Sequence, residues 1–219
     1  MTLAIYGHYF SSYTQKVHTA LYENATPFAF REIGPDHMDN IAEWQRRWPM
    51  GKFPLLVDGD TQIAEASIII EYLQLKHPGP VRLIPSDPME ALNVRFLDRY
   101  FDLHVMDAMQ VAVASKIGQI PMKSEDGHAL ARERLERAYG WLETHLTGKT
   151  WAAGEAFTLA DCAAAPSLFY ADWTHEIAPA YPNLRAYRAR LLKRPSFARC
   201  VEEARYFRAN FPLGAPDRD

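Results

Sequence analysis

Two serines stand where a short apolar strand gives way to a helix. Ser11 and Ser12 follow the strand-like residues 3–6, and a helical pattern begins at Ser12. The first amides of a helix lack partners within the helix and carry partial positive charge, so they favour an anion. A thiolate bound there would gain ~1.5–3 kcal/mol from a serine hydroxyl and ~0.3–1 kcal/mol from the helix end. Lowering a thiol pKa of ~8.5 by roughly two units needs about 2.7 kcal/mol, so the serines are candidate thiolate-stabilising residues. The alternative is that they only cap the helix.

The segment Gly51-Lys52-Phe53-Pro54 leads into a second candidate site. Proline removes a donor from a β-ladder, so its place at the start of a strand is unusual. A cis Phe53–Pro54 bond would expose the backbone N–H and C=O of Phe53 on an open edge, where an extended peptide can pair as an added strand. Lys52 would then reach a ligand carboxylate. The alternatives are an ordinary trans proline and a solvated lysine.

An acid precedes a third helix start. Glu65 is followed by Ala66 and Ser67 at the beginning of an apolar helical run. Free amides at that start could hold a ligand carboxylate, and Glu65 could accept from an ammonium group. The alternative is that Glu65 only complements the helix dipole.

The elements that position these residues change in type near the middle of the chain. Apolar patterning predicts a βαβαββα unit at residues 1–77 and an Asp58-Gly59 turn between its last two strands. Pro78, Gly79 and Pro80 break the last helix and open a linker at residues 78–86. Residues 87–219 show only helical spacing, so they are predicted to form an all-α domain. The predicted strands are 3–6, 28–33, 53–57 and 61–64; the predicted helices are 12–24, 41–48, 66–75, 87–117, 132–146, 158–172, 183–193 and 196–207.

Composition narrows the class of protein. The 219 residues are 48% hydrophobic and 23% charged, with net charge −3 and a pI near 6.2, which does not suit nucleic acid or anionic membrane surfaces. Two cysteines, Cys162 and Cys200, without a Cys-x-x-Cys pair, exclude a dithiol mechanism and fit a reducing compartment. His8, His18, His104 and His175 lack metal-ligand spacing, and no metal is predicted. No signal peptide or spanning segment is recognised, and a cytoplasmic location is expected.

The three candidate sites together match the thiol, the peptide backbone and the γ-glutamyl end of glutathione. Their order and spacing resemble the cytosolic glutathione transferases over nearly the whole chain. Ser11-Ser12-Tyr13-Thr14-Gln15-Lys16-Val17 is similar to the serine-type loop of the zeta, tau and theta classes. Gly51-Lys52-Phe53-Pro54 resembles the family's cis-proline segment, and Glu65-Ala66-Ser67 resembles its Glu/Gln-Ser pair, with alanine where serine is usual. Gly154–Asp161 is similar to the family's capping-box segment, which is structural.

This resemblance implies a thioredoxin-like N-terminal domain, a helical-bundle C-terminal domain and a homodimer. It implies a glutathione transferase in which Ser11, beside Ser12, stabilises the thiolate for attack on a small hydrophobic electrophile. Glutathione would be held by Lys52, Phe53, Pro54, Glu65, Ala66 and Ser67. The electrophile pocket is predicted between the domains, with walls formed by Tyr9, Phe10, His104, Val111, Tyr170 and Trp173.

The sequence leaves two alternatives open. One keeps glutathione but changes the reaction to that of an isomerase, peroxidase or dehalogenase, although Tyr13 replaces the cysteine that follows the serine pair in the zeta class. The other is a non-catalytic binding protein with the same fold, which the loss of a hydroxyl at Ala66 favours.

Overall fold

A computed structural model describes residues 3–219. Residues 1 and 2 of the predicted first domain lie outside the described part of the chain. The first part contains β1 (Leu3–Gly7), α1 (Ser12–Glu23), β2 (Phe28–Glu32), α2 (Met38–Arg47), β3 (Leu55–Asp58), β4 (Thr61–Ala64) and α3 (Ala66–Lys76).

The sheet has the strand order β2-β1-β3-β4. β1 and β2 are parallel and are joined by α1, whereas β1 pairs antiparallel with β3 and β3 pairs antiparallel with β4. The β3–β4 turn contains Gly59 at φ +60°, a conformation that glycine adopts without steric cost. One face of the sheet packs on α1 and α3; the other buries Tyr6, Leu55 and Val57 against Trp44 of α2.

Residues 77–87 contain neither a helix nor a strand, and only helices follow them. These are α4 (Pro88–Tyr100), α5 (Asp107–Lys116), α6 (Ser124–His145), α7 (Leu159–Thr174), α8 (Pro182–Leu192) and α9 (Pro195–Ala204). All sixteen residues of α7 are buried, as expected for a helix that is apolar on every face. The predicted fold class, an α/β thioredoxin-like part followed by a helical part, is confirmed.

Helix α2 begins three residues earlier than predicted, and the last predicted helix ends at Ala204 and continues as a 3-10 helix at Arg205–Asn210. Two other helices differ more from their predicted extents. The predicted helix 87–117 is interrupted by a π-helical segment at Phe101–Met106, although no Gly or Pro marks it. Within this segment Asp102 forms a buried ion pair with Lys16 of α1, a long-range contact that sequence spacing does not reveal. Helix α6 begins at Ser124 instead of residue 132 and includes Gly127, where a Cβ atom would lie 2.0 Å from Ser115 Oγ. This glycine permits close packing of α6 on α5.

Candidate active site

A cleft of about 900 Å³ lies between the α/β part and the helical part. One wall comes from the α/β part and is lined by His8, Phe10, Ser11, Ser12, Tyr13, Trp48, Gly51, Lys52, Phe53, Pro54, Glu65 and Ala66. The other wall comes from the helices and the C-terminal residues and is lined by Arg99, Asp102, Leu103, Asp107, Met109, Gln110, Val113, Ala114, Gln119, Tyr170, Phe211 and Pro212.

Ser11 is the N-cap of α1 and lines the cleft. Its backbone is extended (φ −88°, ψ 124°), and its Oγ accepts from the Thr14 N–H at 3.3 Å. Accepting that bond leaves the hydroxyl proton available to a second partner. Ser12 is the buried first residue of α1 and also lines the cleft. The helix start therefore presents a hydroxyl donor and a partial positive charge to the same space.

The ring of His8 supports this loop and was not predicted as a site residue. His8 Nδ1 accepts from the Phe10 N–H at 3.0 Å, and the His8 carbonyl accepts from the Ser11 N–H at 3.0 Å. Burial lowers the pKa of His8, partly offset by Glu32, which favours the neutral ring that this hydrogen bond needs. The sequence offered no signal for the role, because a histidine in a loop has no characteristic spacing.

The Phe53–Pro54 peptide bond is cis and leads directly into β3. Within residues 3–219, neither the N–H nor the C=O of Phe53 has a hydrogen-bond partner. Lys52 is exposed at the rim of the cleft and forms no ion pair in the described part of the chain. An extended peptide with a free carboxylate fits these groups.

Glu65 lies on the opposite side of the same wall, as the N-cap of α3. It is one of the non-glycine residues at positive φ (68°), a costly conformation that is concentrated at functional sites. Its carboxylate is exposed and has no ion-pair partner in residues 3–219. Ala66 follows at the start of α3 and lines the cleft.

Ser67 does not line the cleft, in contrast to the prediction. Its Oγ lies behind the wall, where it donates to Asp98 Oδ2 at 2.8 Å and accepts from Lys16 Nζ at 2.9 Å and from Arg99. The hydroxyl is committed to this buried network, so it does not replace the hydroxyl missing at Ala66.

The helical wall combines apolar and acidic side chains. Leu103, Met109 and Val113 supply apolar surface, and Asp107 accepts a long hydrogen bond from the Tyr13 hydroxyl at 3.5 Å. Desolvation raises the pKa of Asp107. Desolvation also raises the pKa of Tyr13, and the nearby carboxylates of Asp102 and Asp107 raise it further. The Tyr13 hydroxyl therefore stays protonated.

Only two of the six predicted pocket residues, Phe10 and Tyr170, line the cleft. The Tyr9 ring turns to the other side of the loop and packs on Phe30, with ring centroids 4.4 Å apart. His104 packs beside Tyr100, Val111 lies outside the cleft lining on α5, and Trp173 is buried against Phe169. Helical spacing shows which residues share a face but not which face meets the cleft.

Several cleft residues carried no sequence signal. Arg99 lies at the end of α4 and Asp102 in the π-helical segment, whereas Phe211 and Pro212 line the cleft because the chain returns to it after α9. The Phe211 ring lies 6.0 Å from that of Tyr170 and 6.4 Å from that of Phe10.

The described residues contain no cluster of three or more His, Cys, Asp or Glu side chains that could hold a metal ion. No helix within residues 3–219 is long and apolar enough to cross a membrane.

Both parts of the chain match models of one protein family. Residues 5–81 match the glutathione S-transferase N-terminal domain, and residues 124–190 match the glutathione S-transferase C-terminal domain. A probable maleylacetoacetate isomerase of Vibrio cholerae is 29% identical over 215 residues, which cover 93% of this chain and 97% of that protein. The uncharacterised GST-like protein YibF of Escherichia coli is 30% identical over 203 residues, which cover 90% and 97%.

Solved structures share the fold. A glutathione transferase homologue from Drosophila mojavensis, with bound glutathione, superposes with a TM-score of 0.79 at 23% identity and covers 98% of both chains. Glutathione transferase E6 from Drosophila melanogaster gives a TM-score of 0.80 at 21% identity and covers 97% of both chains. The two matched domains and the near-full-length relatives show that this chain belongs to the cytosolic glutathione S-transferase family.

Proposed function

We propose that the protein is a glutathione transferase in which Ser11 stabilises the thiolate of bound glutathione. The observation that carries this proposal is the placement of the Ser11 hydroxyl at the N-terminus of α1, inside a cleft whose same wall presents Lys52, Phe53 and Glu65.

The residues present fit glutathione along its length. Lys52, which has no ion-pair partner among residues 3–219, is a cation for the glycine carboxylate, and the N–H and C=O of Phe53, unpaired within the same range, can bond the cysteinyl backbone as in an added strand. The first amides of α3, beginning at Ala66, suit the γ-glutamyl carboxylate, and Glu65 suits its ammonium group. In this arrangement the proposed partner of the thiol is Ser11, which lines the same cleft.

The proposed reaction is nucleophilic substitution by sulfur. The thiol releases its proton to solvent, the Ser11 O–H donates to the resulting thiolate, and sulfur attacks the electrophilic carbon of the acceptor. With 1-chloro-2,4-dinitrobenzene a C–S bond forms and the C–Cl bond breaks, so chloride leaves. The apolar surface of Leu103, Met109, Val113 and Phe211 supports a hydrophobic acceptor.

A glutathione-dependent isomerase is the second candidate. The relative from Vibrio cholerae, whose name states that activity, favours it. The acceptor wall carries both Asp107 and the half-exposed cation Arg99, so its charges do not oppose a carboxylate-bearing acceptor such as maleylacetone. Peroxidase and dehalogenase reactions stay predictions without a distinguishing observation.

A homodimer is part of the proposal. Helices α3 and α4 expose Ile68, Leu75, Met89, Leu92 and Phe96, a density of apolar side chains typical of an interaction surface. Sedimentation velocity distinguishes a dimer from a single chain of 25.0 kDa. A cytoplasmic location stays an expectation.

Calorimetric titration of glutathione into the wild type, Ser11→Ala and Ser11→Thr at pH 6.5 and 8 tests the mechanism, with bound thiolate followed by ultraviolet absorbance. We expect micromolar-to-millimolar binding and a thiolate signal at pH 6.5 that Ser11→Ala abolishes. Ser11→Thr should retain much of it, because threonine keeps both the cap and the donor. Ser115→Ala, which changes a serine outside the cleft lining, is the matched control.

Turnover of 1-chloro-2,4-dinitrobenzene against maleylacetone separates transferase from isomerase. A wild type that binds no glutathione would favour the non-catalytic binding protein. A full thiolate signal in Ser11→Ala would refute the serine mechanism and leave glutathione binding intact.

A further inference from the structure

The loop that carries Ser11 is held from outside by two buried side chains. Gln15, one turn into α1, donates from Nε2 to the Tyr9 carbonyl at 2.9 Å and to the Tyr170 hydroxyl oxygen at 3.0 Å. The Tyr170 hydroxyl in turn donates to the Phe10 carbonyl at 3.2 Å. Two consecutive carbonyls directly before Ser11 are thereby fixed.

The donor and the acceptor of each hydrogen bond in this series, from Gln15 through Tyr170 to Phe10, are determined. The Phe10 carbonyl can only accept, so Tyr170 must donate to it and its oxygen is left to accept from the Gln15 amide. Linked donors of this kind polarise and strengthen one another. Gln15 is 1% exposed and Tyr170 is 3% exposed, so water cannot readily replace either partner.

Tyr170 belongs to α7, the fully buried helix of the helical part, whereas Ser11 belongs to the α/β part. Its ring lines the cleft and packs against Phe10 and Phe211, but its hydroxyl points to the loop backbone. The hydroxyl therefore joins the Phe10 carbonyl to the Gln15 amide and holds the residue before Ser11.

We propose that Tyr170 and Gln15 are positioning residues that fix the Ser11 hydroxyl against the glutathione thiol. This inference rests on the proposed function. A hydrogen bond to a developing anion depends steeply on donor placement, and a displacement of about 1 Å can cost on the order of a hundredfold in rate. Releasing the Phe10 carbonyl should let the loop relax and weaken the thiolate without altering the peptide-binding wall, which lies just before β3 and at the start of α3.

The test compares two ligands in Tyr170→Phe, Gln15→Met and the wild type. The pKa of bound glutathione thiol is measured from ultraviolet absorbance against pH and from the pH profile of kcat/KM. The affinity of S-methylglutathione, which has no thiol, reports the peptide-binding wall alone. We expect Tyr170→Phe and Gln15→Met to raise the thiol pKa by about one unit, a tenfold loss of thiolate, with S-methylglutathione affinity changed by less than about twofold.

Tyr139→Phe is the matched control. It also removes one buried tyrosine hydroxyl that donates to a backbone carbonyl, that of His175 at 3.0 Å, and neither residue lines the cleft. It should leave both readouts unchanged. Gln15→Met removes the hydrogen bonds that Gln15 donates to the Tyr9 carbonyl and to the Tyr170 hydroxyl. The proposal therefore stays testable if Tyr170→Phe does not fold.

An unchanged thiol pKa in a folded Tyr170→Phe or Gln15→Met variant would overturn the positioning role alone. A parallel loss of S-methylglutathione affinity in the variants would also overturn it, because it would show general damage to the site. A wild type that binds neither ligand would refute the proposed function and this inference together.

Discussion

Lys16 provides a quantitative test of how the two parts of the chain are joined. Its side chain is 1% exposed, and Nζ lies 2.6 Å from Asp98 Oδ1, 2.8 Å from Asp102 Oδ2 and 2.9 Å from Ser67 Oγ. Arg99 pairs with the same two aspartates from the cleft side. The cluster is neutral because two cations face two carboxylates, and it connects α1 and α3 with α4 and the π-helical segment.

Lys16→Met keeps most of the side-chain volume but removes one cation. The carboxylates of Asp98 and Asp102, 2% and 8% exposed, then have only one cation between them, Arg99, whose side chain is half exposed. Breaking a buried ion pair from one side typically costs about 3–5 kcal/mol, and we expect a loss of that size in the free energy of unfolding. Urea unfolding measures it, with Lys76→Met on the exposed face of α3 as a control expected to change stability by less than about 1 kcal/mol.

The double variant Lys16→Met/Asp98→Asn sharpens the test because it restores neutrality. The two losses should then be non-additive, with a coupling energy of about 1–3 kcal/mol. A loss below about 1 kcal/mol for Lys16→Met, or strictly additive single and double variants, would refute the view that this cluster is a tightly desolvated ion-pair network.

Two further changes test the site and its surroundings. Burial lowers the pKa of His18 to about 3, below an unfolded value near 6.5. The contribution of the neutral His18 ring to the free energy of unfolding is therefore fully present above pH 6.5 and is lost as pH falls towards 3. Between pH 7 and 5 the wild type should lose about 2 kcal/mol more than His18→Phe in urea unfolding, and an equal loss in both would contradict the buried neutral ring. Ala66→Ser should tighten glutathione binding about tenfold, because the added hydroxyl at the start of α3 can donate a hydrogen bond to the γ-glutamyl carboxylate. If calorimetry shows no gain in affinity, the γ-glutamyl end binds elsewhere.

The architecture of the fold was predictable because its signals are local. Period-two and period-3.6 apolar patterns depend on neighbours within four residues, so the sheet, α1, α3 and α7 could be assigned from spacing alone. The same locality put Ser11 at a strand–helix junction and Pro54 at the start of β3.

The orientation of individual side chains was not predictable. Tyr9 and Phe10 are adjacent aromatic residues, yet only Phe10 faces the cleft, because the loop backbone is held by Gln15 and Tyr170. Ser67 has the residue type for a ligand contact, but Lys16 and Asp98 engage its hydroxyl behind the wall.

The sequence by itself determined the fold class, the family and the order of the candidate binding groups. Only the tertiary structure decided that Phe211 closes the cleft, that the chain departs from α-helical geometry at Asp102 and that His8 supports the serine loop. Each of these depends on contacts between residues that are distant in sequence or on the loop's backbone path. Local patterns encode which residues are buried, but long-range packing decides what each buried or cleft-lining group faces.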